Sequence, residues 1–379
     1  MKRAAWPGML ADLASTRTGA AAFLENIPIS ALDEAAVSRN WAARWRAIGD
    51  AHFLRGDLKS EKGAIDEARE AWLCALTALE VARRLLEEED PQGGQVSSKI
   101  ELGVQRLGSA LQQRIERVQI TSCWNQSEAP AYYLPGFLES SGGRPSYLSL
   151  CSPAVICVSR EQEAAAILLG RVLPVAVGRD ISILVVSHED VSNQPAAASK
   201  FLLSSCLDFL SVQPNVDPTR IGVYGEGLSA VLATDFAAAD TRVAAAVCDG
   251  GLWNWARMRA SVGWLTRAAE APNEQVASAR RSQQVRQMKC PVLVVAGGRG
   301  IVSVSEAMRL QNDCADAQVD VLTMPQTSNS HMGEIENFLA FDDRIFRWLE
   351  HKLVKRLAPI RADGQSSACT NAAMSRAGD

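Results

Sequence analysis

Asp217-Pro218-Thr219-Arg220-Ile221-Gly222-Val223-Tyr224-Gly225-Glu226-Gly227-Leu228-Ser229 changes character along its length. Ile221 to Tyr224 is a short apolar run of the kind that forms a buried strand. Gly225 and Gly227 interrupt it. The residues after them, 228–239, are small and mostly apolar, the pattern of a helix packed closely on a sheet. A strand that turns sharply into a helix lifts one residue above the sheet. It also aims the helix N-terminal N–H groups at that point.

Around this stretch, apolar runs and helical patterns alternate. Runs at 132–137, 153–158, 181–186, 243–248, 291–296 and 319–324 read as strands. Segments 161–173, 196–210, 305–313 and 334–354 read as helices. Such alternation predicts βαβ units and a mainly parallel sheet. The first 120 residues or so differ, because only helical spacing is visible there. Trp41, Trp45, Ile48 and Phe53 form one stripe, and Ala68, Trp72, Ala75, Leu76 and Leu79 a second. Asp90-Pro91-Gln92-Gly93-Gly94 reads as a break. Beyond it Ile100, Val104, Leu107, Leu111 and Ile115 mark a third helix. The expected organisation is a helical domain over 1–123, an α/β core over 124–357 and a polar, disordered tail over 358–379.

Composition narrows the function classes. With 379 residues, 47% of them hydrophobic, the chain can bury a large core. A net charge of -4 without basic clusters argues against nucleic acid as a partner. Charges interrupt every apolar run before the length of a membrane span, and no clean apolar stretch and cleavage site follow Met1-Lys2-Arg3, so no signal peptide is expected. A cytoplasmic protein is expected. The nine cysteines include no Cys-x-x-Cys pair, and the four histidines do not pair with them at ligand spacing. Reduced thiols, no metal and no cofactor are therefore expected.

The approach through Arg220-Ile221-Gly222-Val223-Tyr224-Gly225-Glu226 resembles the nucleophile elbow of the α/β-hydrolases. Two later segments fit in order. Residues 291–296 followed by Gly297-Gly298-Arg299 resemble the strand and turn that carry the acid, and Ser330-His331-Met332-Gly333 resembles the histidine loop. Residues 41–89 resemble the helical cap of one branch. That branch includes 2,6-dihydroxypseudooxynicotine hydrolase, the fermentation-respiration-switch-like proteins and the fungal pigment polyketide-shortening hydrolases. The resemblance spans about residues 30–355. It implies an α/β-hydrolase fold, with a mostly parallel eight-stranded sheet and an N-terminal helical cap.

The family elbow reads Gly-x-Ser-x-Gly, whereas here Gly227 stands at the serine position and Ser229 at the last glycine. The acid position after Arg299 holds Gly300, so of the triad only His331 remains. His331 is the expected acid–base residue. Asp249, following the strand at 243–248, is a candidate to orient it. Its alternative is an Asx turn or a helix cap. Glu226 is either the variable elbow residue or a proton relay. The backbone of Gly227 and Leu228 is the expected oxyanion hole, with Ser159 and Arg160 beside it. Arg160 could hold an anionic group. His188, after the run at 181–186, falls at the sheet edge where open α/β sheets bind ligands. Trp253, Trp255 and Trp264 would close an apolar pocket or pack cap against body. Ser229 and Cys248 are weak alternatives as nucleophiles.

The expected function is His-based acid–base chemistry on a small carbonyl-containing, polyketide-like metabolite of secondary metabolism. Elimination or cleavage of a carbon–carbon bond would suit such a site. The alternatives are a catalytically inactive binding protein and a hydrolase with a rearranged site. A homodimer is expected from the resemblance.

Overall fold

The computed structural model describes residues 11–27, 35–86, 90–111, 115–123, 126–136, 151–192, 196–249, 288–296, 304–313, 318–323 and 337–353. Its centre is one eight-stranded sheet with strand order β1-β2-β4-β3-β5-β6-β7-β8. The strands are β1 (Glu116–Thr121), β2 (Glu128–Leu134), β3 (Ser152–Val158), β4 (Ser182–Val186), β5 (Val216–Glu226), β6 (Val243–Asp249), β7 (Val292–Ala296) and β8 (Val319–Thr323). From β4 to β8 every pairing is parallel, and β1 and β2 add an antiparallel edge. Parallel neighbours need helical crossovers, which cover both faces of the sheet. This is why β3 and β4 are buried at every residue and read as unbroken apolar runs.

One face is covered by α5 (Ala165–Ala176) and α10 (Phe338–Leu353). The other carries α7 (Ala196–Ser211), α8 (Ser229–Ala239) and α9 (Val304–Asp313). The short α6 (His188–Ser192) follows β4 directly.

The N-terminal helices are α1 (Leu13–Glu25), α2 (Ala35–Glu61), α3 (Ile65–Arg84) and α4 (Pro91–Ala110). They share a single hydrophobic core with α5, α10 and the sheet, through Trp45, Leu76, Leu79, Ile100, Leu168 and Phe338. Part of this helical layer also borders the carboxyl edge of the sheet. The C-terminal end of α3 reaches that edge, where Arg84 meets Glu226.

Two sequence readings need correction. The sheet starts at Glu116, inside the stretch read as helical. Its alternating burial is weak because β1 is an exposed edge strand. The 90–94 segment does not end a helix but begins one. The Asp90 carboxylate accepts the N–H of Gln92 at 2.9 Å, and Pro91 occupies the first turn, where no backbone donor is needed. The tail 358–379 lies outside the described residues.

Candidate active site

β5 carries its backbone directly into the elbow. Gly227 has φ +59°, the left-handed region that L side chains avoid, and α8 starts two residues later. A side chain at Gly225 would collide with the Ser229 carbonyl oxygen, so close contact of strand and helix requires glycine there. The Gly227 N–H donates to the Asp249 carbonyl at 2.9 Å and ties the turn to β6. The elbow backbone expected from the sequence is therefore present.

Another side chain fills the place where the Gly227 side chain would stand. Glu161 Oε2 lies 2.6 Å from the position of a Cβ on Gly227. The same oxygen accepts the N–H of Leu228 at 3.0 Å. Helix α5 begins at Ala165, not at residue 161, and the loop ahead of it lets Glu161 reach across to the elbow. The Leu228 donor is engaged by a carboxylate, and the Ser159 N–H bonds within the sheet to the Val186 carbonyl at 3.1 Å. Glu161 was not a candidate from the sequence. Its only sequence signal was its place three residues beyond the end of β3, beside Arg160.

Ser229 is fully buried, which removes it as a displaced nucleophile. Its hydroxyl donates to the Ser159 carbonyl at 2.6 Å, and His188 Nδ1 lies 2.7 Å from the same Oγ. The His188 backbone N–H donates to Ser159 Oγ at 3.2 Å. Burial lowers the His188 pKa below its ordinary 6.5, against the opposing charges of Glu161 and Glu189. Arg160 is half-buried, with Nε unpartnered among the described residues. Burial and the charge of Arg84 lower its pKa. Cys248 is fully buried against Thr234, and burial pushes its thiol up to about 12, which excludes it as a thiolate nucleophile.

Glu226 and Asp249 belong to a charge network under the elbow. Tyr224 and Glu226 point to the same face of β5, as residues two apart in a strand do. Glu226 is fully buried and pairs with Arg171 Nη1 at 2.6 Å and Arg84 Nη2 at 3.5 Å. Two guanidinium groups thus flank the carboxylate that the sequence offered as a variable elbow residue or a proton relay. The Tyr224 hydroxyl donates to Asp249 Oδ2 at 2.8 Å and accepts from Arg171 Nη2 at 2.8 Å. Arg171 also faces Asp342 at 3.4 Å. Glu80 of α3 completes the cluster, with Arg83 at 2.8 Å and Arg84 at 2.7 Å. Arg83 bridges on to Glu163 at 2.7 Å.

The structure thus brings together Gly227, Leu228, Ser159, Arg160 and His188 at the carboxyl edge, with Glu226 and Asp249 beneath. His331, Trp253, Trp255, Trp264 and Gly300 lie outside the described residues. No group of three or more potential ligands with metal-site geometry occurs among the described residues, and no described helix is long and apolar enough to cross a membrane. A cavity of about 450 Å³, lined by Leu73, Leu134 and Ile181 among others, lies at the opposite edge of the sheet and takes no part in the elbow.

No family model and no curated protein matches the chain. Among solved structures, 2,6-dihydroxy-pseudo-oxynicotine hydrolase superposes with a TM-score of 0.56 at 16% identity, covering 88% of this chain and 95% of that one. An acylaminoacyl peptidase gives 0.48 at 13% identity, over 64% of this chain and 42% of its own. Est1E from Butyrivibrio proteoclasticus gives 0.44 at 11% identity, over 62% and 99%. The strand order, the left-handed elbow at Gly227 and a superposition on the first of these that covers 88% of this chain give one conclusion: the chain has the α/β-hydrolase fold.

Proposed function

We propose that this is an α/β-hydrolase-fold enzyme that works without an acyl-enzyme. It would move protons on a small carbonyl-containing metabolite, in an elimination or in a step on a carbon–carbon bond. The observation that carries the reading is the elbow itself. Its backbone turn is kept, but Gly227 has no hydroxyl and the Glu161 carboxylate fills the vacated place. Covalent catalysis needs a nucleophile there. A carboxylate and a neutral imidazole support proton transfer instead. His331, at the position that resembles the family's base, is a further candidate for the same role. A substrate oxygen bound on the Leu228 N–H would have to displace Glu161.

A second reading is favoured by the same contact. With the Leu228 N–H already engaged, the edge could hold a ligand without turning it over. The two are separated by incubating the protein with a panel of β-acyloxy and β-hydroxy ketones and following both thermal shift and products by mass spectrometry. Elimination products, without labelling by a fluorophosphonate, are expected. Binding without product would favour the second reading. Stoichiometric fluorophosphonate labelling with rapid p-nitrophenyl acetate hydrolysis would overturn both. A cytoplasmic homodimer is part of the proposal, and light scattering should give about twice 40.8 kDa.

A further inference from the structure

The hydrogen bonds around His188 determine which of its nitrogens is basic. A carbonyl oxygen only accepts, so the single hydrogen of the Ser229 hydroxyl lies on its 2.6 Å bond to the Ser159 carbonyl. His188 Nδ1, 2.7 Å from that hydroxyl oxygen, must then be the donor. A neutral imidazole carries one N–H, which leaves Nε2 with its lone pair. The backbone is held as well, because the His188 N–H donates to Ser159 Oγ at 3.2 Å. The ring is half-buried and begins α6 at the carboxyl edge of β4. Ligands of open α/β sheets bind at that edge.

We propose that His188 is a general base of this site, accepting a substrate proton at Nε2, with Ser229 and Ser159 as its positioning residues. This rests on the proton-transfer reading above. The step moves one proton: the substrate's C–H or O–H bond breaks, its electron pair stays on the substrate, and the proton goes to Nε2. The resulting imidazolium keeps its Nδ1–H on Ser229. The charges of Glu161 and Glu189 act on the ring and stabilise that cation, against the effect of burial. Ser229 and His188 together resemble a nucleophile and its base. The hydroxyl hydrogen points away from the ring, however, and the serine is fully buried, so Ser229 orients the ring and does not react.

The test needs no known substrate. In protein labelled with ¹⁵N-histidine, long-range ¹H–¹⁵N spectra should show His188, identified by its loss in His188→Gln, with Nδ1 protonated and Nε2 bare above pH 7. Ser229→Ala should release that preference, and Glu161→Gln should lower the His188 pKa. Diethyl pyrocarbonate should acylate His188 at Nε2 roughly tenfold or more faster than the fully buried His52, which reacts only after local opening. Glu161→Gln should slow the reaction, because a less basic nitrogen is less nucleophilic. A histidine kept for packing would present no reactive nitrogen. An Nε2–H tautomer, or a His188 as inert as His52, would overturn the proposal. These readouts do not depend on turnover. An inactive protein with a reactive His188 would count against the enzymatic reading alone.

Discussion

Restoring a serine at Gly227 meets two obstacles in the structure. The left-handed φ of +59° costs an L residue about 1–2 kcal/mol. The new Cβ would also stand 2.6 Å from Glu161 Oε2. Gly227→Ser should therefore lower stability by about 1–2 kcal/mol in urea unfolding and give no more than trace hydrolysis of p-nitrophenyl acetate. Adding Glu161→Ala should return part of the stability by removing the crowding. Equal stability of Gly227→Ser and the parent would argue against the Glu161 contact. Ser229→Ala leaves the His188 Nδ1–H and the Ser159 carbonyl without their shared partner, and unfolding should show a loss of about 1–3 kcal/mol. The glycine at 227, with the sharp turn it occupies, was legible at this scale. Glu161 was not, because its role comes from a loop that folds back across 66 intervening residues.

Helix α5 is joined to β5 by the buried pair of Arg171 and Glu226. Removing one partner of such a pair strands the other charge away from water. Arg171→Met should cost about 3–5 kcal/mol. The double variant Arg171→Met with Glu226→Leu should be less destabilised than the sum of the two single changes, which a double-mutant cycle by urea unfolding would measure. Additive losses would mean that the two side chains do not interact. The central strands were readable because burial on both faces demands continuous apolar runs. The start of the sheet was not. β1 is an exposed edge strand whose pattern resembles a helix end, and its pairing with β2 makes it a strand.

Over the whole molecule, the charge network sets a limit on acid stability. Burial would raise the Glu80 carboxyl, but the charges of Arg83 and Arg84 more than reverse this and hold it down at about 2. Its folded pKa is below the ordinary 4.5, so its stabilising contribution is complete above pH 4.5 and is lost as pH falls toward 2. Thermal midpoints should decline across that window, and Glu80→Gln should flatten the decline. Thiol chemistry offers a second check on the core. Burial pushes Cys157, Cys206 and Cys248 up to about 12, and Cys74 and Cys290 up to about 11. Of the described cysteines, Cys123 and Cys151 are exposed and should be the ones alkylated by iodoacetamide at pH 8 in the folded state, as mapped by mass spectrometry. Hydrophobic periodicity by itself determined the alternation of strands and helices and the helical N-terminal region, because each depends on neighbours within a few turns of chain, and the elbow was read from the resemblance of its residues to a family motif. Only the tertiary structure decided the chemistry around the elbow. It brought Glu161 onto the Leu228 N–H, turned His188 onto Ser229, and neutralised Glu226 with Arg171 and Arg84. Electrostatic and hydrogen-bond partners are chosen by distance in space, and separation along the chain does not encode that distance.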